Sequence, residues 1–280
     1  MQTPTTATAP HPSSAQSTRR PPRVAPGHLA LVIVGAVLLV FGRVHSYEFL
    51  GWDDNVNVTQ NPYVRPVGPK RIARIWRQPY KALYIPVTYT FLAGEAYLAG
   101  ANSPGPMNPR VFHLGNLLLH AAAALMVFAI LRRLVDHHGA ACFGALFYAM
   151  HPLQVESVAW ISEVKGLLAG LFSWVAIWQY LCYATADRPT SIARDSAVAN
   201  TARRARYHYA IATAALFLAI LSKPSAVAVP ALVAALDIGL LRRPWQRTCW
   251  SLAPWCVISA SCVIATHFMQ SDKILYTTPI

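Results

Sequence analysis

Two adjacent carboxylates, Asp53 and Asp54, follow Trp52 soon after the first apolar run, in a chain with only 11 acidic residues among 280. Carboxylates beside a bilayer are costly unless they have a partner or a task, so this pair is the first candidate for chemistry. Three further groups could share that task. In the segment His151-Pro152-Leu153-Gln154-Val155-Glu156, Pro152 lacks a backbone donor and disfavours helix at the residue before it. A helix is therefore expected to break there and to turn His151 and Glu156 toward a cavity. On an unbroken helix their spacing would hold them about 140° apart. The competing reading is structural, with both side chains satisfying backbone groups freed at the break. Ser162-Glu163-Val164-Lys165-Gly166 opens a later apolar segment. There the helix dipole and the Lys165 ammonium together favour a phosphate, and snorkelling of Lys165 to the interface is the alternative. Lys223, in the tight turn Ser222-Lys223-Pro224 between two apolar segments, stands on the side that basic residues usually avoid, which suggests an anionic ligand. No HExxH zinc pattern occurs, and the five cysteines, odd in number and without a CxxC, read as small apolar residues.

The elements that must position these groups follow from composition. With 55% hydrophobic and 12% charged residues and a mean hydropathy of +0.35, the chain has too little polar surface for a water-soluble globule, which carries roughly a quarter charged residues. It reads as an all-α polytopic membrane protein. Seven spans are expected, at about 29–46, 111–131, 139–156, 166–183, 208–222, 224–241 and 249–268. Residues 1–28, rich in Pro, Ser, Thr and Ala, are expected to form a disordered cytoplasmic tail. No small-x-small cleavage site follows the first apolar run, so it is read as a retained helix. With the amino terminus inside, 13 of the 24 lysines and arginines fall on the inner face, in keeping with the positive-inside rule. Residues 47–110 then form one long outer loop. Within it, the apolar stretch 84–100 is expected to lie on or partly in the outer membrane face, and Lys70 to Lys81 to form a short interfacial helix facing anionic groups. The net charge of +13 is explained by this topology, so membrane lipid is an expected partner and nucleic acid is not.

The strings Gly51-Trp52-Asp53-Asp54-Asn55-Val56-Asn57-Val58-Thr59-Gln60-Asn61-Pro62, Tyr84-Ile85-Pro86-Val87-Thr88-Tyr89, Phe112-His113-Leu114-Gly115-Asn116-Leu117-Leu118-Leu119-His120, His151 to Trp160, and Leu221-Ser222-Lys223-Pro224-Ser225-Ala226-Val227 occur in an order that resembles one family. Over about residues 46–245 they look like the membrane half of the transmembrane and tetratricopeptide-repeat proteins, relatives of protein O-mannosyltransferases with the GT-C glycosyltransferase fold. The resemblance implies a GT-C-like bundle over 29–280. Its activity would be transfer of a sugar, mannose first, from a polyprenyl phosphate donor to Ser or Thr of a translocated acceptor protein. Asp53 best matches the family's general base, with Asp54 as second choice. Glu156 and His151 are the further catalytic candidates, and Lys165 and Lys223 would face the donor phosphate. Asp54 is the one group here that could instead hold a divalent cation. Relatives carry an Arg-Lys-Asp run where this chain has Val164-Lys165-Gly166, which leaves one cation and one acid missing. They also continue into a repeat array, so a fragment lacking its carboxy-terminal repeat domain is expected. A bacterial inner membrane, with the site on the periplasmic side, suits the alanine- and arginine-rich style of the chain. The competing readings are a catalytically silent anchor or assembly protein of the same fold, and a secondary transporter, which would show mid-membrane acids and an internal repeat.

Overall fold

The computed structural model describes residues 25–186 and 195–277, with side chains described up to 186 and from 200 to 268. The expected tail lies outside the described residues up to residue 24, as do Arg188 and Arg194. Ten α-helices are present among the described residues: α1 (Pro26–Phe41), α2 (Pro69–Ile75), α3 (Pro86–Leu98), α4 (Pro109–Leu134), α5 (His138–Ala149), α6 (Gln154–Ala159), α7 (Val164–Ala186), α8 (Asp195–Ser222), α9 (Val229–Ala235) and α10 (Trp245–Thr277). Among these residues there is no named strand, and the all-α expectation holds.

Among the described residues, five segments are long and apolar enough to cross a membrane: Pro26–Ser46, Pro109–Leu134, Ile161–Ala186, Asn200–Ser222 and Trp245–Phe268. The chain is a multi-pass membrane protein. The stretch read as a span over 139–156 is divided into the 12-residue α5 and the short α6, and 224–241 forms a shorter apolar helical run, Pro224–Leu240. Exposed Leu31, Leu39, Phe143, Phe147, Trp250 and Phe268 give the bundle an apolar exterior of the kind lipid requires.

Local chemistry sets the helix starts. Proline at the first position of α1, α2, α3 and α4 supplies the right φ and costs no hydrogen bond. Asn108 caps α4 by accepting from the Arg110 N–H, and His137 caps α5 by accepting from Ala140. Gly100, at φ +90°, turns the chain after α3.

Among the described residues, three apolar cores hold the helices together. One joins α1, α4 and α5 through residues such as Ile33, Phe41, Phe128 and Ala145. A second joins α7, α8, α9 and α10 around Tyr180, Leu216 and Trp255. The third belongs to the long first loop: Val58, Val64, Ile75, Tyr89, Leu92 and Met107 pack on Phe112 of α4 and on Ile161, Val164 and Leu168 at the start of α7. Residues 47–110 therefore form a packed layer over one end of the bundle. Within it α2 covers Pro69–Ile75, so the interfacial helix expected over 70–81 ends at Ile75 and its second half is turn, and α3 is pinned to the end of α8 by the Thr88 hydroxyl, which donates to the Ser222 carbonyl at 2.8 Å.

Candidate active site

The helix break at Pro152 occurs as its chemistry requires. α5 stops at Ala149 and helix resumes at Gln154. The break frees the Ala149 carbonyl, and His120 of α4 donates to it through Nε2 at 2.8 Å. The Leu153 N–H finds the Nδ1 of His151 at 3.2 Å. Farther on, the Asn116 amide donates to the carbonyls of Val158 (3.3 Å) and Trp160 (3.0 Å). Asn116 and His120 stand one helical turn apart on α4, so that helix face fixes where α7 begins. Glu163 donates its backbone N–H to the Trp160 carbonyl, and Ser162 is presented toward the first loop.

The first loop meets that presentation with its two aspartates. Asp54 is 1% exposed. Its Oδ1 accepts from the Ser162 N–H at 2.9 Å and from the Ser162 hydroxyl at 2.6 Å, and its Oδ2 accepts from the Leu50 N–H at 2.9 Å. The carboxylate is thus a staple between the loop and α7. Asp53 points elsewhere, as adjacent side chains can. Its side chain is 49% exposed, and Oδ2 lies 3.9 Å from the Lys165 ammonium. Burial raises the pKa of the nearby Tyr89 hydroxyl, and the charges of Tyr80 and Asp53 push it the same way. That phenol stays neutral and holds the Asn57 side chain at 3.2 Å.

Glu163 completes the group. One oxygen is 3.0 Å from Lys165 and the other 3.0 Å from Lys223. The lysine of the α8–α9 turn and the lysine of α7 are therefore gathered at one point, a convergence the resemblance implied and chain spacing does not reveal. Gly166 makes room: a Cβ there would lie 3.1 Å from the Glu163 Oε2 and 3.6 Å from the Lys223 ammonium. Two carboxylates, Asp53 and Glu163, thus balance two ammoniums in one half-open cluster.

Glu156 lines a neighbouring cleft, and His151 does not join the cluster. A cleft of about 660 Å³ is lined by Tyr47, Glu48, Leu50, Val155, Glu156 and Trp160, among others. It adjoins the cluster through Leu50, bonded to Asp54, and through Trp160, two residues before Ser162. His151 serves the helix break through Leu153 and meets Phe147 edge-on at 5.3 Å. No described contact links it to Asp53, Asp54, Lys165 or Lys223. The expected convergence of His151 with Glu156 is replaced by the structural role weighed against it, because the imidazole is spent on a backbone donor. Asp54 as a metal ligand fits poorly, since both of its oxygens are already taken. Among the described residues no three His, Cys, Asp or Glu side chains are grouped to hold an ion.

Glu163 and Ser162 were not picked out from the sequence as site residues. The available signal was an acid two positions before Lys165 in an acid-poor chain. Ser162 had none, because its partner is 108 residues away.

Comparison with known proteins gives relatives of one kind. The chain is 30% identical over 175 residues to human (Homo sapiens) Protein O-mannosyl-transferase TMTC1, an alignment covering 59% of this chain and 19% of that protein. The mouse (Mus musculus) protein of the same name is 30% identical over 166 residues, covering 55% and 17%. Human Protein O-mannosyl-transferase TMTC4 is 27% identical over 176 residues, covering 54% and 23%. The chain thus matches about a fifth of the length of these curated relatives. No protein-family model matches it, and no solved structure does.

Proposed function

We propose that this chain is the membrane part of a glycosyltransferase that moves a sugar, mannose first among candidates, from a polyprenyl phosphate to a Ser or Thr hydroxyl of a protein. The observation that carries the reading is the half-exposed Asp53 carboxylate facing the Lys165 ammonium at 3.9 Å, in a chain similar to proteins named as O-mannosyl-transferases. The acceptor oxygen attacks the anomeric carbon and its proton passes to Asp53. The bond from that carbon to the phosphate oxygen breaks, and its electron pair leaves with the polyprenyl phosphate. A carboxylate is a weak base for an alcohol, so the proton moves late, as the hydroxyl becomes acidic in the act of bonding. Negative charge grows on the departing phosphate, where Lys165 and Lys223 stabilise it. Each ammonium has three donors and can keep one on Glu163 while offering the others.

The cleft beside the cluster suits the rest of the donor. Tyr47, Phe49, Leu50 and Trp160 offer apolar and aromatic walls to an isoprenyl chain or pyranose face, and Glu48 and Glu156 offer acceptors to sugar hydroxyls. Those two carboxylates repel a phosphate, which favours seating it on the lysine side. In this reading the amino terminus is cytoplasmic and the site faces the periplasm of a bacterial cell.

One observation favours the second reading, a silent anchor of the same fold: Glu163 already bridges both lysines, and with Asp53 the cluster is balanced without a ligand. The test is transfer of labelled mannose from polyprenyl phosphate mannose to Ser/Thr peptides by the full-length protein in nanodiscs. Transfer supports the enzyme. Silence across mannose, glucose and galactose donors, with and without divalent cation, rejects it in favour of the anchor.

A further inference from the structure

At the opposite end of the bundle from Asp53, the last turn of α4, the last turns of α7 and the early turns of α8 enclose a second cavity of about 530 Å³. Its lining includes Arg133, Arg204, His208, Thr185, Thr201 and the indole of Trp178, and among the described residues no carboxylate. Arg133 is held in place: its guanidinium lies 5.5 Å from the Trp178 ring centroid and donates to the Thr185 hydroxyl. Only one of its five N–H donors is used in that bond. His208 is likewise oriented, with Nδ1 2.7 Å from the side-chain oxygen of Gln179. Two guanidiniums face one cavity at the edge of an apolar bundle, with no acid among its described walls. Both arginines are exposed, and an anion placed between them would gain from both guanidiniums, most where the apolar bundle keeps water to one side.

We propose that this cavity binds a phosphate group, presented by an anionic phospholipid of the leaflet at that end of the bundle. Planar guanidinium forks match phosphate oxygens in pairs, which a lysine cannot do. Trp178 and Cys182 offer an apolar side to the glycerol and acyl chains. Basic pockets between membrane helices are suited to lipid headgroups on general grounds. The site is separate from the Asp53 cluster and does not depend on the reading given to that cluster.

The experiment uses the full chain in detergent, with native mass spectrometry to measure binding of short-chain phosphatidylglycerol. Diacylglycerol, which lacks the phosphate, and inorganic phosphate as competitor form the other arms. Phosphatidylglycerol should bind the parent and diacylglycerol should not. Arg133→Gln and Arg204→Gln should each weaken binding roughly tenfold, the loss expected for a hydrogen bond to a charged group. Arg132→Gln should leave it unchanged, because Arg132 lies over Phe128 and is not part of the lining. Displacement of the lipid by millimolar phosphate identifies the phosphate alone as sufficient, and no displacement shows that the lipid body contributes. Either result sustains the site. Equal binding by both cavity variants and the parent overturns it, and so does an equal loss in Arg132→Gln, which would mark a general surface attraction. If Arg133→Gln unfolds, the exposed Arg204 alone decides the matter.

Discussion

Asp53 and Asp54 share a peptide bond and have opposite surroundings, and that contrast separates their roles. Asp54 is buried with three donors on its oxygens, so its removal strands the backbone N–H groups of Leu50 and Ser162 as well as the Ser162 hydroxyl. Asp54→Ala should lower stability by on the order of 3 kcal/mol, read as the thermal midpoint of the purified protein. Asp53 is half exposed and makes one long ion pair, so Asp53→Asn should leave that midpoint within a degree or two. Reversal of these two effects would show that the staple has been assigned to the wrong aspartate. The sequence marked the pair as important because acids are scarce, but it could not divide the labour, since the partner Ser162 lies 108 residues on. The lysines were legible one at a time from their positions. Glu163 as the acid between them was not, because its meaning depends on α7 and α8 standing side by side.

Among the helices, the α3–α4 contact carries a second consequence of burial. The Glu95 carboxyl of α3 is buried, has no hydrogen-bond partner, and sits where a Cβ on Gly115 of α4 would lie 1.7 Å from Oε1. Desolvation pushes its pKa up to about 9. At neutral pH the folded protein holds this proton while the unfolded chain has lost it. Stability therefore falls as pH rises from the ordinary carboxyl range toward 9 and changes no further above that. Thermal midpoints measured from pH 5 to pH 9 should decline in the parent and decline less in Glu95→Gln; parallel slopes would place the titration elsewhere. Gly115→Ala should destabilise the packing at any pH, because the methyl and the carboxyl cannot occupy one position. The break before Pro152 was readable in advance because proline acts on its own backbone. The helical stretch over 84–100 was placed at the membrane face by charge bias. That α3 would be tied to Ser222 beside Lys223 was not readable, since no local pattern encodes a contact 134 residues long.

Across the whole molecule, charge is divided between the two ends of the bundle. The Asp53, Glu163, Lys165 and Lys223 cluster occupies one end, while Arg133, Arg204 and His208 gather at the other. If the bundle lies as the positive-inside rule requires, a cysteine at position 52 should react with a membrane-impermeant maleimide from the outer side of the membrane, and one at position 203 only after the membrane is opened. The opposite pattern would invert the topology and remove the acid cluster from the side on which translocated proteins are met. Hydropathy showed this bilayer framework in outline. It could not show that two of the seven apolar segments form shorter helices, because apolar length and apolar packing look alike along a chain. The proposed function rests on the chemistry at the first of these ends, and the most direct test is the transfer rate of the full-length protein and Asp53→Asn at saturating polyprenyl phosphate mannose. With Asp53 as the base, the variant should lose at least about a hundredfold in rate while donor binding is not weakened. Transfer by Asp53→Asn at the parent rate would contradict the assignment.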